Sequence, residues 1–337
     1  MKNPAILFTA PCVVELVDEE IPTPGAGQVV VKLMCSTISA GTERANLVGD
    51  PSVSYAKEPN VTFPRRVGYS SAGIVSEVGE GVTSVKVGDR VACFHSSHKQ
   101  YCRLKEEHVC KLEDSVSFSE AALAYIATFP MAAIRKCHLE YGESAIVMGQ
   151  GILGQLAVIF LRAAGAVPII AVDPIAAKRE RAIELGADYA LDPFAPDFVE
   201  QVKKITGGGA RVAIEVTGKG QGLDMVLDCM KKFGRVALLG CTRNSDFSID
   251  YYRKVHGPGI TLVGAHTNAR PKLESAPGWW TERDDMETFL RMIAHGRVEV
   301  ASLVEESHSP EEAVEVFGRL AESPAFPVVQ FDWSVLS

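Results

Sequence analysis

Apolar positions along this chain follow two patterns. Up to about residue 120 they come in short runs broken by glycine and proline clusters. Pro22-Thr23-Pro24-Gly25-Ala26-Gly27 precedes a strand-like run over 29–35, and further runs at 73–78 and 90–93 are set apart by Gly79-Glu80-Gly81 and Gly88-Asp89. Short strands punctuated in this way predict a small barrel or sandwich. From Phe118 the texture becomes helical, SEAALAYIATFPMAAIRKCHL, with Ser119 as its N-cap and Pro130 as a kink or a break between two helices. Beyond residue 144, strand-like runs at 145–148, 169–172, 189–191, 212–216, 236–239 and 260–263 alternate with helical segments at 198–205 and 223–232. That alternation predicts an α/β fold, a doubly wound parallel sheet with helices on both faces. An amphipathic helix over 284–295 follows. The tail from 300 reads as a strand, a helix over 313–320 capped by Ser309-Pro310-Glu311-Glu312, and a last strand over 327–331.

The stretch 144–174, SAIVMGQGILGQLAVIFLRAAGAVPIIAVDP, carries the sharpest chemical signal. A buried-strand run over 145–148 leads into Gly149-Gln150-Gly151-Ile152-Leu153-Gly154. Leu156, Ile159, Phe160 and Ala163 then fall on one helix face. A second strand ends at Asp173, 19 residues past the last glycine. Glycines at G-x-G-x-x-G spacing are weak evidence alone. Between a strand and a helix, with an acid at that distance, they form a dinucleotide fingerprint. The first glycine permits the turn, the second lets a pyrophosphate approach the backbone, and the third lets helix and strand pack. Asp173 suits a free ribose 2′-hydroxyl and would repel a 2′-phosphate, which favours NAD over NADP. Lys178 and Arg179 nearby keep NADP open. Thr217 and Gly240 fall just past later strands, on the side where such sheets bind ligands.

At 337 residues the chain is long enough for two domains. Its formal charge of −8 offers no basic surface for nucleic acid or anionic membranes. No run reaches the ~18 apolar residues of a membrane span, and no secretion signal is evident at the start. Eight scattered cysteines then read as reduced thiols, and the expectation is a cytoplasmic protein.

The order of these pieces resembles the medium-chain dehydrogenase/reductase superfamily, whose zinc alcohol, polyol and threonine dehydrogenases are familiar members. The landmarks are ISAGTE at 38–43, VGYSSAGIVSEVG at 67–79, VKVGDRV at 85–91, GQGILG with VDP, and KRERAIELGAD at 178–188. The resemblance spans essentially the whole chain. It implies a GroES-like catalytic domain over 1–126, completed by 299–337, and an NAD-binding Rossmann domain over 127–298. The site would lie in the cleft between them, and the protein would be a homodimer or homotetramer.

The chain departs from the zinc members where the metal would sit. Their cysteine ligand before Gly-Thr corresponds to Ala40, the histidine of Gly-His-Glu to Tyr69, and the third ligand to Tyr125. Alanine cannot bind a metal, and zinc prefers Cys, His and carboxylate donors. The lobe with four spaced structural cysteines is also missing, so no metal is expected. One cluster argues the other way: Cys93, His95, His98 and Cys102 have ligand types at short spacing and could meet as a zinc site.

Without zinc, alcohol oxidation needs a side chain or water chain to take the hydroxyl proton. Thr42 matches the hydroxyl with which the family relays that proton. Tyr69 and Tyr125 stand where two ligands would point, and His98 is the expected general acid/base; Glu43 can be read as a helix-start charge. A second polar group, His266, Asn268 and Arg270 with Trp279-Trp280, could bind a sugar or polyol, or could form a dimer-edge strand and a tryptophan loop anchor. The leading expectation is a zinc-independent NAD(H)-dependent oxidoreductase that interconverts a secondary alcohol and ketone on a polyol, cyclitol or sugar-derived small molecule. A lyase or epimerase with tightly held NAD, a zinc dehydrogenase with unusual ligands, a quinone or enoyl reductase, and a non-catalytic NAD sensor are the alternatives.

Overall fold

The computed structural model describes residues 2–53, 61–245, 247–323 and 325–336. The chain divides into two compact units, Met1–Ile126 with Met286–Ser337, and Ala127–Asp285. Both boundaries fall inside helices, Ala124–Lys136 and Glu282–Ala294. The return to the first unit thus begins earlier than the 299 read from the sequence.

The first unit is a β structure. In spatial order its larger sheet runs Glu306–His308, Val329–Asp332, Gln28–Thr37, Ser70–Val78, Arg90–Phe94, Val109–Lys111, with Tyr101–Lys105 also paired to Gln28–Thr37. A second sheet joins Val13–Glu20, Lys2–Ala10 and Arg65–Arg66. Strand Gln28–Thr37 is the hub because its neighbours on either side bury Val29, Val31 and Leu33 completely. These pack with Ile6, Phe8, Phe317, Phe331 and Trp333 in one core. The C-terminal segment is therefore structural, since it supplies both a strand and core aromatics.

The second unit is a six-stranded, wholly parallel sheet. Its order is Tyr189–Leu191, Ile169–Val172, Ala145–Met148, Ala210–Glu215, Met230–Leu238, Thr261–Gly264. Numbered by sequence this is 3-2-1-4-5-6, the doubly wound order, and its topological switch point lies beside Ala145–Met148. Strands Ala145–Met148 and Ile169–Val172 are buried throughout, which explains their unbroken apolar runs.

The helical stretch after residue 117 departs from expectation twice. Ser117, not Ser119, caps it, in a reciprocal capping box with Glu120. The break also falls before Pro130: helices Phe118–Ala121 and Ala124–Lys136 meet near Leu123, and Pro130 lies inside the second. Ile126, Ala127 and Ala133 are fully buried, so packing holds the helix through a residue that costs it a hydrogen bond. Among the described residues, no helix is long and apolar enough to cross a membrane.

Candidate functional site

In the second unit the site begins where Ala145–Met148 ends. Gly149 has φ +100, a conformation open to glycine. A Cβ on Gly154 would lie 1.9 Å from the Gly149 carbonyl oxygen, so the third glycine is what lets the helix pack against the turn. A Cβ on Gly151 would meet nothing within 4 Å. Gly151 is the N-cap of helix Ile152–Ala163 and provides no side-chain cap, which leaves the first helical N–H groups for an anion. The three glycines thus have distinct surroundings, as a phosphate cradle requires.

Asp173 sits at the end of the second strand, 6 % exposed. Its carboxylate accepts from the Gln150 amide at 2.9 Å and from the Ile175 amide at 2.9 Å. It therefore ties the glycine turn to the next loop. Arg179 donates to the Asp173 and Pro174 carbonyls and pairs with Asp192 at 3.5 Å. Lys178 is half-buried in the first turn of helix Ala176–Glu184. Gln150 is fully buried, and its side-chain amide donates to the Val147 carbonyl. The Oε1 atoms of Gln150 and Gln155 are buried acceptors without a partner, and buried acceptors of this kind call for a donor. Past Ala210–Glu215, the Thr217 amide and hydroxyl and the Gly218 amide all donate to the buried Glu215 carboxylate. Burial pushes the Glu215 carboxyl above the usual range. A Cβ on Gly240 would collide with Val216 and Gly218, so this turn too is pressed against its neighbour. The residues present fit a dinucleotide.

In the first unit the candidates gather around a buried imidazole–carboxylate pair. His98 is fully buried, with Nδ1 2.8 Å from Ser36 Oγ and Nε2 2.9 Å from Glu43 Oε2. Trp333 Nε1 donates to the same Ser36 hydroxyl at 2.8 Å, and Glu43 Oε1 accepts from the Ser39 amide at 2.8 Å. The His98 amide donates to the Val67 carbonyl, and Gly68 packs so closely that a Cβ there would lie 2.7 Å from the His98 ring. One expectation changes and another is extended. His98 has both ring nitrogens engaged and no exposed surface, so this arrangement does not present it to a substrate. Glu43 is an acid in the first turn of its helix, accepting from the N-cap amide, and is also the buried partner of that imidazole.

The pair fixes the residues beside it. Thr42, half-buried, precedes Glu43 on helix Ala40–Leu47, and Tyr69 follows Gly68. Tyr69 meets Tyr125 edge-on, centroids 5.6 Å apart. Tyr125 is 5 % exposed and stacks on Phe94 at 5.5 Å. His95, an exposed residue with φ +55, sets its ring 5.1 Å from Tyr125 and 4.9 Å from His108. The structure thus brings Tyr69 and Tyr125 together and adds His95 and His108, which sequence reasoning had not grouped with them. No local pattern could have done so, because only the fold joins positions 69, 95, 108 and 125.

Cys93, His98 and Cys102 of the candidate zinc cluster have other surroundings. Cys93 and Cys102 lie in the apolar core of the first unit. Burial raises the Cys93 thiol well above its ordinary range and pushes Cys102 up to about 11. His98 is committed to Ser36 and Glu43. Among the described residues, no group of three or more His, Cys, Asp or Glu is placed to hold a metal ion. With Ala40, Tyr69 and Tyr125 at the ligand positions of the resembling zinc enzymes, the donor set present does not fit that metal.

The second polar group is an anchor. Arg270, 7 % exposed, donates to the Thr128 carbonyl and lies 3.6 Å from Asp285, which also pairs with Arg135 at 2.9 Å. The Arg135 guanidinium covers Trp280 at 3.6 Å and Lys136 lies over Trp279 at 5.0 Å. Cations therefore take the indole faces expected to meet a sugar. Burial lowers His266 below its ordinary range.

Comparison with known proteins places this arrangement in a class. Residues 24–138 match the alcohol dehydrogenase GroES-like domain and residues 153–281 the zinc-binding dehydrogenase family. L-threonine 3-dehydrogenase of Pyrococcus abyssi is 30% identical over 78% of this chain and 82% of its own. D-guloside 3-dehydrogenase of Escherichia coli is 25% identical over 91% of this chain and 93% of its own. The structure of 2R,3R-butanediol dehydrogenase from Bacillus subtilis superposes with a TM-score of 0.81 at 25% identity, covering 98% of this chain and 99% of that one. The chain belongs to the medium-chain dehydrogenase/reductase superfamily, and it is a nicotinamide-dependent oxidoreductase of that type.

Proposed function

We propose that this enzyme uses NAD, without zinc, to interconvert a secondary alcohol and a ketone on a polyol, cyclitol or sugar-derived substrate. The single observation that carries the reading is the pairing of an intact dinucleotide turn with an emptied ligand set. Gly149, Gly151 and Gly154 have surroundings that suit those three roles and Asp173 stands at the strand end, while the Ala40 side chain offers no ligand atom. Gly149–Gly154, with the free N–H groups of helix Ile152–Ala163, would hold the pyrophosphate. Asp173 would take the ribose hydroxyls, and Thr217 and Gly240 would border the same face. When bound, NAD supplies the hydride acceptor. The chain's own task is the proton: Thr42, Tyr69 and Tyr125 supply hydroxyls for the reacting oxygen. The polyol preference draws on the guloside and butanediol enzymes among the relatives.

The test is NADH formation by purified enzyme against secondary alcohols, with NAD and NADP compared. Turnover that prefers NAD supports the reading. A preference for NADP removes the role given to Asp173. NAD retained through purification, with substrate converted and no net NADH formed, replaces a dehydrogenase by a lyase or epimerase.

A further inference from the structure

We propose that His95 is the acid–base residue of this reaction, held by Tyr125, and that the buried His98–Glu43 pair positions it. The inference rests on the alcohol–ketone reading above and names the group that moves its proton. His98 is enclosed between Ser36 and Glu43. His308 is held by Glu306 at 2.8 Å and Glu312 at 3.1 Å. His95 combines an exposed imidazole with contact to the phenol at the third ligand position, 5.1 Å from the Tyr125 ring. Tyr125 in turn meets Tyr69, at the second ligand position, at 5.6 Å. Rings of Phe94, His108 and Tyr125 pack about His95, and Glu107 lies 3.6 Å from His108 Nε2.

The backbone supports the assignment. His95 has φ +55, a left-handed conformation that most side chains avoid. Residues on either side are fixed: Phe94 ends a strand, and Ser96 Oγ accepts from Ser71 Oγ at 2.8 Å. Two residues further on, His98 is locked to Glu43 and to the Val67 carbonyl. The loop is thus over-determined around one unusual residue, a pattern that recurs where a side chain is aimed for function. In the oxidising direction the alcohol O–H proton passes to the His95 imidazole. Bound NAD would accept the hydride that leaves the C–H bond as the C=O bond closes. The imidazolium then releases its proton to water, which its exposure allows. Imidazole is the side chain whose ordinary titration range suits that exchange near neutral pH.

The test uses full-length enzyme with NAD and butane-2,3-diol, L-threonine and galactitol 1-phosphate as probes. His95→Asn and His95→Gly keep the left-handed backbone available, so they are expected to fold and to bind NAD with unchanged affinity. His95→Asn is expected to lose about 100-fold or more in kcat and the acid limb of the pH profile. Added imidazole is expected to restore turnover to His95→Gly, whereas a His98→Gln variant should keep the acid limb and gain nothing from imidazole. Turnover in which His95→Asn retains the acid limb and its kcat overturns the assignment alone. NAD binding with no turnover of any probe by the wild-type enzyme overturns the alcohol–ketone reading and this proposal with it.

Discussion

The two units solve the problem of building a site in opposite ways. In the second, the residues proposed for the cofactor, from Gly149 to Asp173, lie within one short stretch of chain. In the first, Ser36, Glu43, Gly68, His98 and Trp333 come from five separate segments and meet only through the fold. A dinucleotide is recognised largely by backbone, so its site is written as glycine spacing. Proton chemistry needs side chains in fixed relation, so its site is written in packing. A buried imidazole–carboxylate pair joins the helix of Thr42 to the loop of Tyr69.

The largest expected effect breaks that pair. His98→Gln or Glu43→Gln leaves the other buried group uncompensated, at a cost of about 3–5 kcal/mol in urea unfolding. In a double-mutant cycle the two changes together should cost far less than their sum. Additive, sub-kcal effects would mean the pair organises nothing. In the second unit, Gly151→Val should leave stability within about 1 kcal/mol, since a Cβ there has open space. It should nonetheless weaken NAD binding about 100-fold, ~2.7 kcal/mol, because the side chain fills the phosphate approach. Unchanged affinity by titration would show that the cradle is not used. Asp173→Ser should cost NAD about tenfold and narrow its advantage over NADP.

How much was legible beforehand follows the same division. The alternation of strands and helices and the spacing from the glycine turn to Asp173 were readable because period and spacing are local properties. The capping box at Ser117 was missed by two residues in favour of Ser119, and Pro130 misled because burial outweighed its helix-breaking tendency. His98 was identified as an important histidine for the wrong reason. Its titration range suggested catalysis, whereas a partner 55 positions away encloses it. His95 was singled out only as one of four ligand types at short spacing. Its left-handed backbone and its ring contacts exist only once strands Arg90–Phe94 and Tyr101–Lys105 are in place.

The smallest effect is common to both units. Burial first of all pushes the thiols of Cys35, Cys137 and Cys229 up to about 12 and that of Cys102 up to about 11. A folded-state pKa above the unfolded value of ~8.5 favours the native state at lower pH. That stability is complete below the unfolded value and lost as pH rises through the folded ones. Unfolding midpoints should therefore fall steadily at alkaline pH, and in native protein iodoacetamide should reach the exposed Cys12 and Cys241 and spare the buried thiols. Rapid alkylation of Cys93 or Cys102 would contradict the buried core described for them.

The most direct test of the account is elemental analysis of enzyme purified without a histidine tag, on the same sample whose NADH formation is measured. The expected result is turnover with zinc far below one atom per chain, unaffected by a chelator. About one tightly held zinc per chain, with activity lost on its removal and restored by its return, would contradict the claim that side chains alone handle the proton.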